Sequence, residues 1–91
     1  MGYGGRWKEL LTRDTELPGR PVVEIGGDDR VLIENHRGVC AYNREMIRVR
    51  LSFGEAVVRG RELCLVRMTP QQLLIRGRLD GVELCRKGEG L

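Results

Sequence analysis

The sequence predicts an all-β fold, a small antiparallel β-sandwich or meander of about seven or eight short strands preceded by a short amphipathic helix. The first observation behind this prediction is an alternation between Met46 and Ser52, where Ile47, Val49 and Leu51 are separated by polar residues. A period of two residues is that of a half-buried strand. The second is that apolar runs recur at intervals of about eight to ten residues, with turn-forming residues between them.

The length and composition fit one small domain with a single core. The chain has 91 residues, of which 41% are hydrophobic and 32% are charged. We divide it into a flexible N-terminus at 1–16 that contains the helix, one all-β domain at 17–86 and a loose tail at 87–91. No apolar run approaches the ~20 residues that span a bilayer, and no signal peptide is visible, so we expect a cytoplasmic protein.

The N-terminal helix is predicted from the spacing of three apolar residues. Trp7, Leu10 and Leu11 stand at i, i+3 and i+4, which places them on one side of a helix. Two helical turns are marginal in water, so this side has to dock on another surface. That surface is either the sheet of its own domain or a partner or membrane, because tryptophan beside basic residues also suits an interface.

The remaining elements follow from the apolar runs and the turn-forming residues between them. A linker at Pro18–Pro21 leads into the first strand. The strands are predicted, in chain order, at 22–25, 30–34, 39–42, 46–52, 56–59, 62–68, 72–76 and 79–85. The strand at 62–68 has apolar residues on both faces, which predicts an inner strand that is covered on both sides. Asp80–Gly81 predicts either a hairpin turn or a bulge.

One internal repeat is visible in the second half of the chain. The segment Val57–Arg61, VVRGR, recurs seventeen residues later as LIRGR at Leu74–Arg78. Two copies are too few for a solenoid, which needs about three or more repeats. We therefore interpret them as two similar strand-to-strand corners of an antiparallel sheet.

The segment Glu34–Gly38 is the candidate functional site, and it is predicted to form the tip of a hairpin between two apolar runs. Asn35 can bond its own backbone, and Gly38 can take a positive φ that closes the turn. In a structural interpretation, Glu34 pairs with Arg37 across the turn and His36 hydrogen-bonds backbone groups. In a functional interpretation, the same residues form an exposed recognition tip on a rigid scaffold.

Catalysis, cofactors and metals are not predicted. Glu34 and His36 could act as an acid–base pair, but His36 is the only histidine and no phosphate-binding loop accompanies it. The three cysteines, Cys40, Cys64 and Cys85, are odd in number and lie in or beside apolar runs, which favours buried reduced thiols. They lack the close ligand pairs of a structural zinc site.

A basic sheet face is the basis of an alternative function. The net charge is +3, fourteen of the sixteen basic residues are arginines, and several of these arginines stand at strand positions. The candidate polyanion face contains Arg48, Arg50, Arg59 and Arg76. We prefer to interpret these arginines as a solvated face that neighbouring glutamates balance. Nucleic acid is an improbable ligand, because single-strand binding needs aromatic platforms among the charges and the few aromatic residues are scattered.

The central segment and its surroundings resemble a known family. Glu-Asn-His-Arg-Gly at 34–38, the lead-in at Pro21–Gly27 and the exit residues Val39 and Tyr42 are similar to the YabP/YqfC family of sporulation proteins, most of all to its YqfC branch. The resemblance extends from Leu17 to Leu84 through a pattern of alternating apolar residues and glycines.

This resemblance implies a product of the mother cell of a spore-forming bacterium that is needed for endospore formation. It implies no catalytic activity, and it makes a multi-span sporulation membrane protein the candidate partner. We therefore expect a non-enzymatic structural, assembly or partner-binding module that lies in the cytoplasm or at the membrane through its partner. Homo-oligomers formed through edge strands are a further expectation.

Overall fold

The strands form one antiparallel sheet of six members. The structure, a computed structural model, describes residues 20–88. The strands are β1 (Val22–Gly26), β2 (Arg30–Glu34), β3 (Val39–Tyr42), β4 (Met46–Leu51), β5 (Gly54–Met68) and β6 (Gln72–Arg86). Their order in the sheet is β1-β2-β6-β5-β4-β3. The all-β prediction is confirmed for the described residues, which contain no helix.

The predicted number of strands is wrong, because two pairs of predicted strands are continuous. β5 and β6 each have 15 residues, and each runs through a position where the sequence predicted a corner. In the β5–β6 ladder, Arg59 pairs with Gly81 and Gly60 pairs with Leu79. Asp80 is therefore the extra residue of a bulge, so that Asp80–Gly81 forms the predicted bulge and not the alternative hairpin turn.

The sheet folds over on itself into two layers because β5 and β6 bend along their length. In layer A, β2 pairs with β1 and with residues 72–76 of β6, which also pair with the last part of β5. In layer B, β4 pairs with β3 and with residues 54–59 of β5, which also pair with the last part of β6. Each long strand thus crosses from one layer to the other.

The core lies between the two layers. Ten buried residues form one cluster: Val31, Ile33, Ile47, Val49, Leu51, Ala56, Val58, Leu63, Leu73 and Ile75. Residues of β2 and β4 belong to this cluster although β6 and β5 separate those strands in the sheet. In a flat sheet such strands are about 14 Å apart. Their shared core therefore shows that the sheet is folded.

Two glycines form the bends, and they explain the internal repeat. A Cβ on Gly60 would lie 1.9 Å from the carbonyl oxygen of Arg78. A Cβ on Gly77, whose φ is +146°, would lie 2.7 Å from the carbonyl oxygen of Glu62. Backbones approach this closely only where no side chain intervenes. The repeated Arg-Gly-Arg segments are corners, as predicted, but within strands and not between them.

Two burial predictions are wrong. The second half of β5 is not covered on both faces, since Val66 and Met68 are 53% and 59% exposed. All three cysteines are exposed free thiols and not buried ones. The strand register explains two of them: Cys64 lies opposite Arg76 and Cys85 lies opposite Glu55, on the outer faces of the layers.

Some predictions fall on residues outside the described range of 20–88. They are the N-terminal helix with Trp7, Leu10 and Leu11, and the end of the tail beyond Gly88. Within that range, no helix is long and apolar enough to cross a membrane.

Candidate functional site

The predicted hairpin tip is instead a connection between the two layers. β2 lies in layer A and β3 lies at the far edge of layer B, and the two strands do not pair with each other. Residues Asn35–Gly38, which we call the clasp, therefore span the gap between the layers. The hairpin prediction is wrong because strands that are adjacent in sequence need not pair: β6, β5 and β4 lie between β2 and β3 in the sheet.

Backbone hydrogen bonds attach the clasp at both ends. The Asn35 N–H donates to the carbonyl oxygen of Gln71, at 2.6 Å, in the turn between β5 and β6. The Arg37 N–H donates to the carbonyl oxygen of Arg50, at 2.7 Å, and the Arg50 N–H donates back to Gly38 at 2.8 Å. The clasp thus joins the β5–β6 turn to β4. Positive φ angles of 60° at Asn35 and 114° at Gly38 let so short a segment make both connections.

The His36 side chain lies between these two attachments and bonds backbone with both ring nitrogens. The Gly38 N–H lies 2.9 Å from Nδ1, and Nε2 lies 2.8 Å from the carbonyl oxygen of Thr69. A backbone N–H can only donate, so Nδ1 is the acceptor and the neutral ring holds its hydrogen on Nε2. Nε2–H then donates to Thr69. The ring is half-buried and links the clasp to the turn after β5.

The polar residues beside His36 have separate partners. The carboxylate of Glu34 accepts a hydrogen bond from Gln72 Nε2 at 3.0 Å, and Asn35 Nδ2 donates to the carbonyl oxygen of Arg20 at 2.7 Å. The predicted Glu34–Arg37 pair is not formed, and Arg37 is exposed. Hydrogen bonds of the clasp and of Glu34 thus connect the segment before β1, the end of β2, the β5–β6 turn and the start of β6.

The arginines of the candidate polyanion face lie on two different faces. Arg48, Arg50 and Arg59 share the outer face of layer B, where their partners in the β4–β5 register place them. Arg76 lies on the outer face of layer A, directly opposite Arg30 of β2. The sequence did not single out Arg30, because only the strand pairing shows that it faces Arg76.

Two arginines on layer B are neutralised by glutamates within the sheet. Arg48 Nη2 lies 2.7 Å from Glu55 Oε1, and Arg59 Nε lies 3.0 Å from Glu83 Oε1. The hydrogen bond to the Glu55 carboxylate, and then its charge, raise the pKa of the Arg48 guanidinium above its ordinary value. These glutamates make layer B a mixed face on which positive charge does not dominate.

The cysteines and the histidine do not form a metal centre. Between residues 20 and 88, no three His, Cys, Asp or Glu side chains come together in a way that could hold a metal ion. Cys40, Cys64, Cys85 and His36 all fall within that range.

Replacing His36 tests the structural role of the clasp. We expect His36→Ala to lower the free energy of unfolding by roughly 1–3 kcal/mol, because it leaves a backbone donor and a backbone acceptor half-buried without partners. His36→Gln can still donate to Thr69, and His36→Asn can still accept from Gly38, so each should lose about half as much. Thermal unfolding followed by circular dichroism measures the three effects. Equal melting temperatures for His36→Ala and the wild type would contradict this role.

Comparison with known proteins identifies the family of the chain. The sequence model described as the YabP family matches residues 19–90, which include all six strands and the clasp. The chain is also similar to the uncharacterized protein YqfC of Bacillus subtilis (strain 168). The two are 29% identical over 82 residues, which cover 85% of this chain and 88% of the relative. No solved structure matches the chain significantly. Because the family match extends over most of its length, the chain belongs to the YabP family.

Proposed function

We propose that this protein acts in sporulation as a non-enzymatic module that binds a protein partner. Membership of the YabP family supports a role related to sporulation. We place the protein in the mother cell, where it holds a multi-span membrane protein through its N-terminal segment, with Trp7, Leu10 and Leu11 as the docking residues. The protein then lies at the membrane through this partner.

The non-enzymatic part of the proposal depends on one observation, which is that the fold already occupies both ring nitrogens of His36. Both ring nitrogens are engaged by backbone groups at 2.8 and 2.9 Å. A general base needs a free lone pair within reach of a substrate proton. On His36 that lone pair, on Nδ1, already accepts from Gly38. The hydrogen bonds of His36, the residue most like a catalytic group in the sequence, therefore support a structural role for it.

The open edges of the sheet support a role in assembly. Among the strands of residues 20–88, β1 and β3 are the outermost, and each pairs there with one neighbour. An edge strand presents backbone donors and acceptors to which a partner strand can add. These edges offer a route to homo-oligomers or to strand addition by the partner. Binding of nucleic acid has weaker support, because Arg48 and Arg59 are already paired with carboxylates.

The proposal is tested by fractionating sporulating cells that produce the tagged full-length protein. We expect the wild-type protein to sediment with membranes and to co-purify with one multi-span membrane protein after gentle solubilisation. Trp7→Ala should abolish both, because it removes the largest apolar side chain of the docking residues. Tyr3→Ala, an aromatic replacement outside that set, is the matched control and should behave as the wild type does. Absence of the wild-type protein from the membrane fraction at every stage would refute the membrane-partner proposal.

A further inference from the structure

The outer face of layer A combines apolar side chains with arginines. Leu32 of β2 lies opposite Leu74 of β6, and Arg30 lies opposite Arg76 one row away on the same face. The register of β5 adds Arg67 beside Leu74. The two leucines are half-buried, and the three arginines are exposed. We call Arg30, Leu32, Arg67, Leu74 and Arg76 the leucine–arginine face.

The two opposed arginines of this face have no carboxylate partner in the described part of the chain. The ion pairs found there are those of Arg48 and Arg59, both in layer B. Glu24 of β1 lies opposite Leu32, diagonal to Arg30, and does not form an ion pair with it. Like charges directly opposite each other on paired strands are destabilising. From this register we expect a repulsion between Arg30 and Arg76 that an external anion would relieve.

From this arrangement we infer that the leucine–arginine face binds an acidic segment of a protein partner. The inference rests on the proposed function and names the surface and the chemistry of the contact. Carboxylates of the partner would pair with the guanidinium groups of Arg30 and Arg76, whose planar forks match a carboxylate in two hydrogen bonds. An aliphatic side chain between those carboxylates would cover Leu32 and Leu74. Such a mixture of apolar contact and charged anchors is typical of protein interfaces.

The same face fits a membrane or a nucleic acid less well. A membrane surface favours aromatic and protruding apolar anchors, and no aromatic residue occurs among the strand residues of this face. Its leucines are half-buried in the sheet and do not protrude. Single-stranded nucleic acid requires aromatic stacking platforms, which are missing here for the same reason. A carboxylate-rich protein segment needs neither.

The test uses the full-length protein and a random-peptide display library as the probe. The library is selected on the wild-type protein and counter-selected on a double variant, Arg30→Glu with Arg76→Glu. We expect the enriched peptides to carry two or more acidic residues around an aliphatic one. The best peptide, made synthetically, should bind the double variant at least roughly tenfold more weakly than the wild type. Added salt should weaken its binding to the wild type.

A matched charge reversal on layer B is the control. The double variant Arg50→Glu with Arg59→Glu changes the net charge by the same amount on the opposite outer face, and the peptide should bind it within about twofold of the wild type. Enriched peptides without an excess of acidic residues would overturn the inference. So would equal loss of binding in both double variants, or wild-type binding to phosphatidylglycerol vesicles that the layer A reversal abolishes.

A stability measurement is independent of any ligand. Arg76→Glu alone turns the opposed arginines into a cross-strand pair of opposite charge, and it should raise the melting temperature by roughly 1–8 °C. An unchanged or lower melting temperature would contradict the unfavourable pair on which the inference rests. The inference also has a test in sporulating cells. If Trp7→Ala loses the membrane partner but Arg30→Glu with Arg76→Glu retains it, the leucine–arginine face is not the binding surface and the proposed function still stands. If neither the wild type nor the variants retain a partner, the proposed function fails as well.

Discussion

Gly60→Ala is expected to be among the most damaging small substitutions in the described part of the chain, with a loss of about 3–5 kcal/mol in the free energy of unfolding. The added Cβ would lie 1.9 Å from the carbonyl oxygen of Arg78, on the strand paired with Gly60. A backbone carbonyl in a ladder cannot move aside as a flexible side chain can, so the bend in β5 would have to open. A loss of this size removes much of the stability of a small domain.

Gly81→Ala is the matched control for this prediction. Gly81 lies in β6 and pairs with Arg59, the residue before Gly60, but a Cβ there would have nothing within 4 Å. We expect its effect to stay within about 1 kcal/mol of zero. Urea unfolding followed by circular dichroism measures both variants, and a Gly60→Ala protein that is unfolded without urea also agrees with the prediction. Similar midpoints for the two variants would mean that β5 does not bend at Gly60.

The second large effect is expected for Ile75→Ala, at about 2–5 kcal/mol. Ile75 has no exposed surface, and it lies between Val31 of β2 and Leu65 of β5 in layer A. Truncation removes three side-chain carbon atoms from a core whose members come from both layers, and the surroundings can close the resulting cavity only in part.

Leu84→Ala is the control on the same strand. Leu84 is 58% exposed near the end of β6, so its truncation should cost less than about 1 kcal/mol. The same urea experiment compares the two variants. If both lost the same stability, the core between the layers would not be the source of the stability of this fold.

Strands β2, β3 and β4 could be predicted because their apolar and polar residues alternate in step with their burial. In β4, Ile47, Val49 and Leu51 are buried and the residues between them are not, as the alternation predicts. The bounds of β2 and β3 agree with the prediction for the same reason. When a strand has one buried face, the order of apolar and polar residues along that strand is enough to show which side chains are buried.

The bends and the clasp could not be predicted, because they depend on contacts between residues far apart in the chain. Gly60 resembles a turn residue, and only the carbonyl of Arg78 beside it shows that it allows close approach within a strand. Likewise, the segment around His36 has the composition of a hairpin tip. Its partners are Thr69, Gln71 and Arg50, which no local pattern connects to it.

The geometry of the candidate site was not foreseen, and the role of Glu34–Gly38 as a recognition site stays a prediction. Asn35 and Gly38 do adopt positive φ angles, as a tight connection requires. Arg37 is the exposed residue of the clasp. The residues that give the segment its shape are thus engaged within the fold, while the surfaces that we propose for partners lie elsewhere, in the N-terminal segment and on the leucine–arginine face.

The central claim is that His36 acts by holding the clasp and not by acid–base chemistry. The most direct measurement is the spore yield of strains that carry His36→Ala, His36→Asn or His36→Gln, grown at a low temperature at which all three proteins are folded. We expect wild-type spore yields for all three strains there, with losses at higher temperature that follow the melting temperatures of the variants. A folded His36→Gln protein that yields no spores at the low temperature would contradict it.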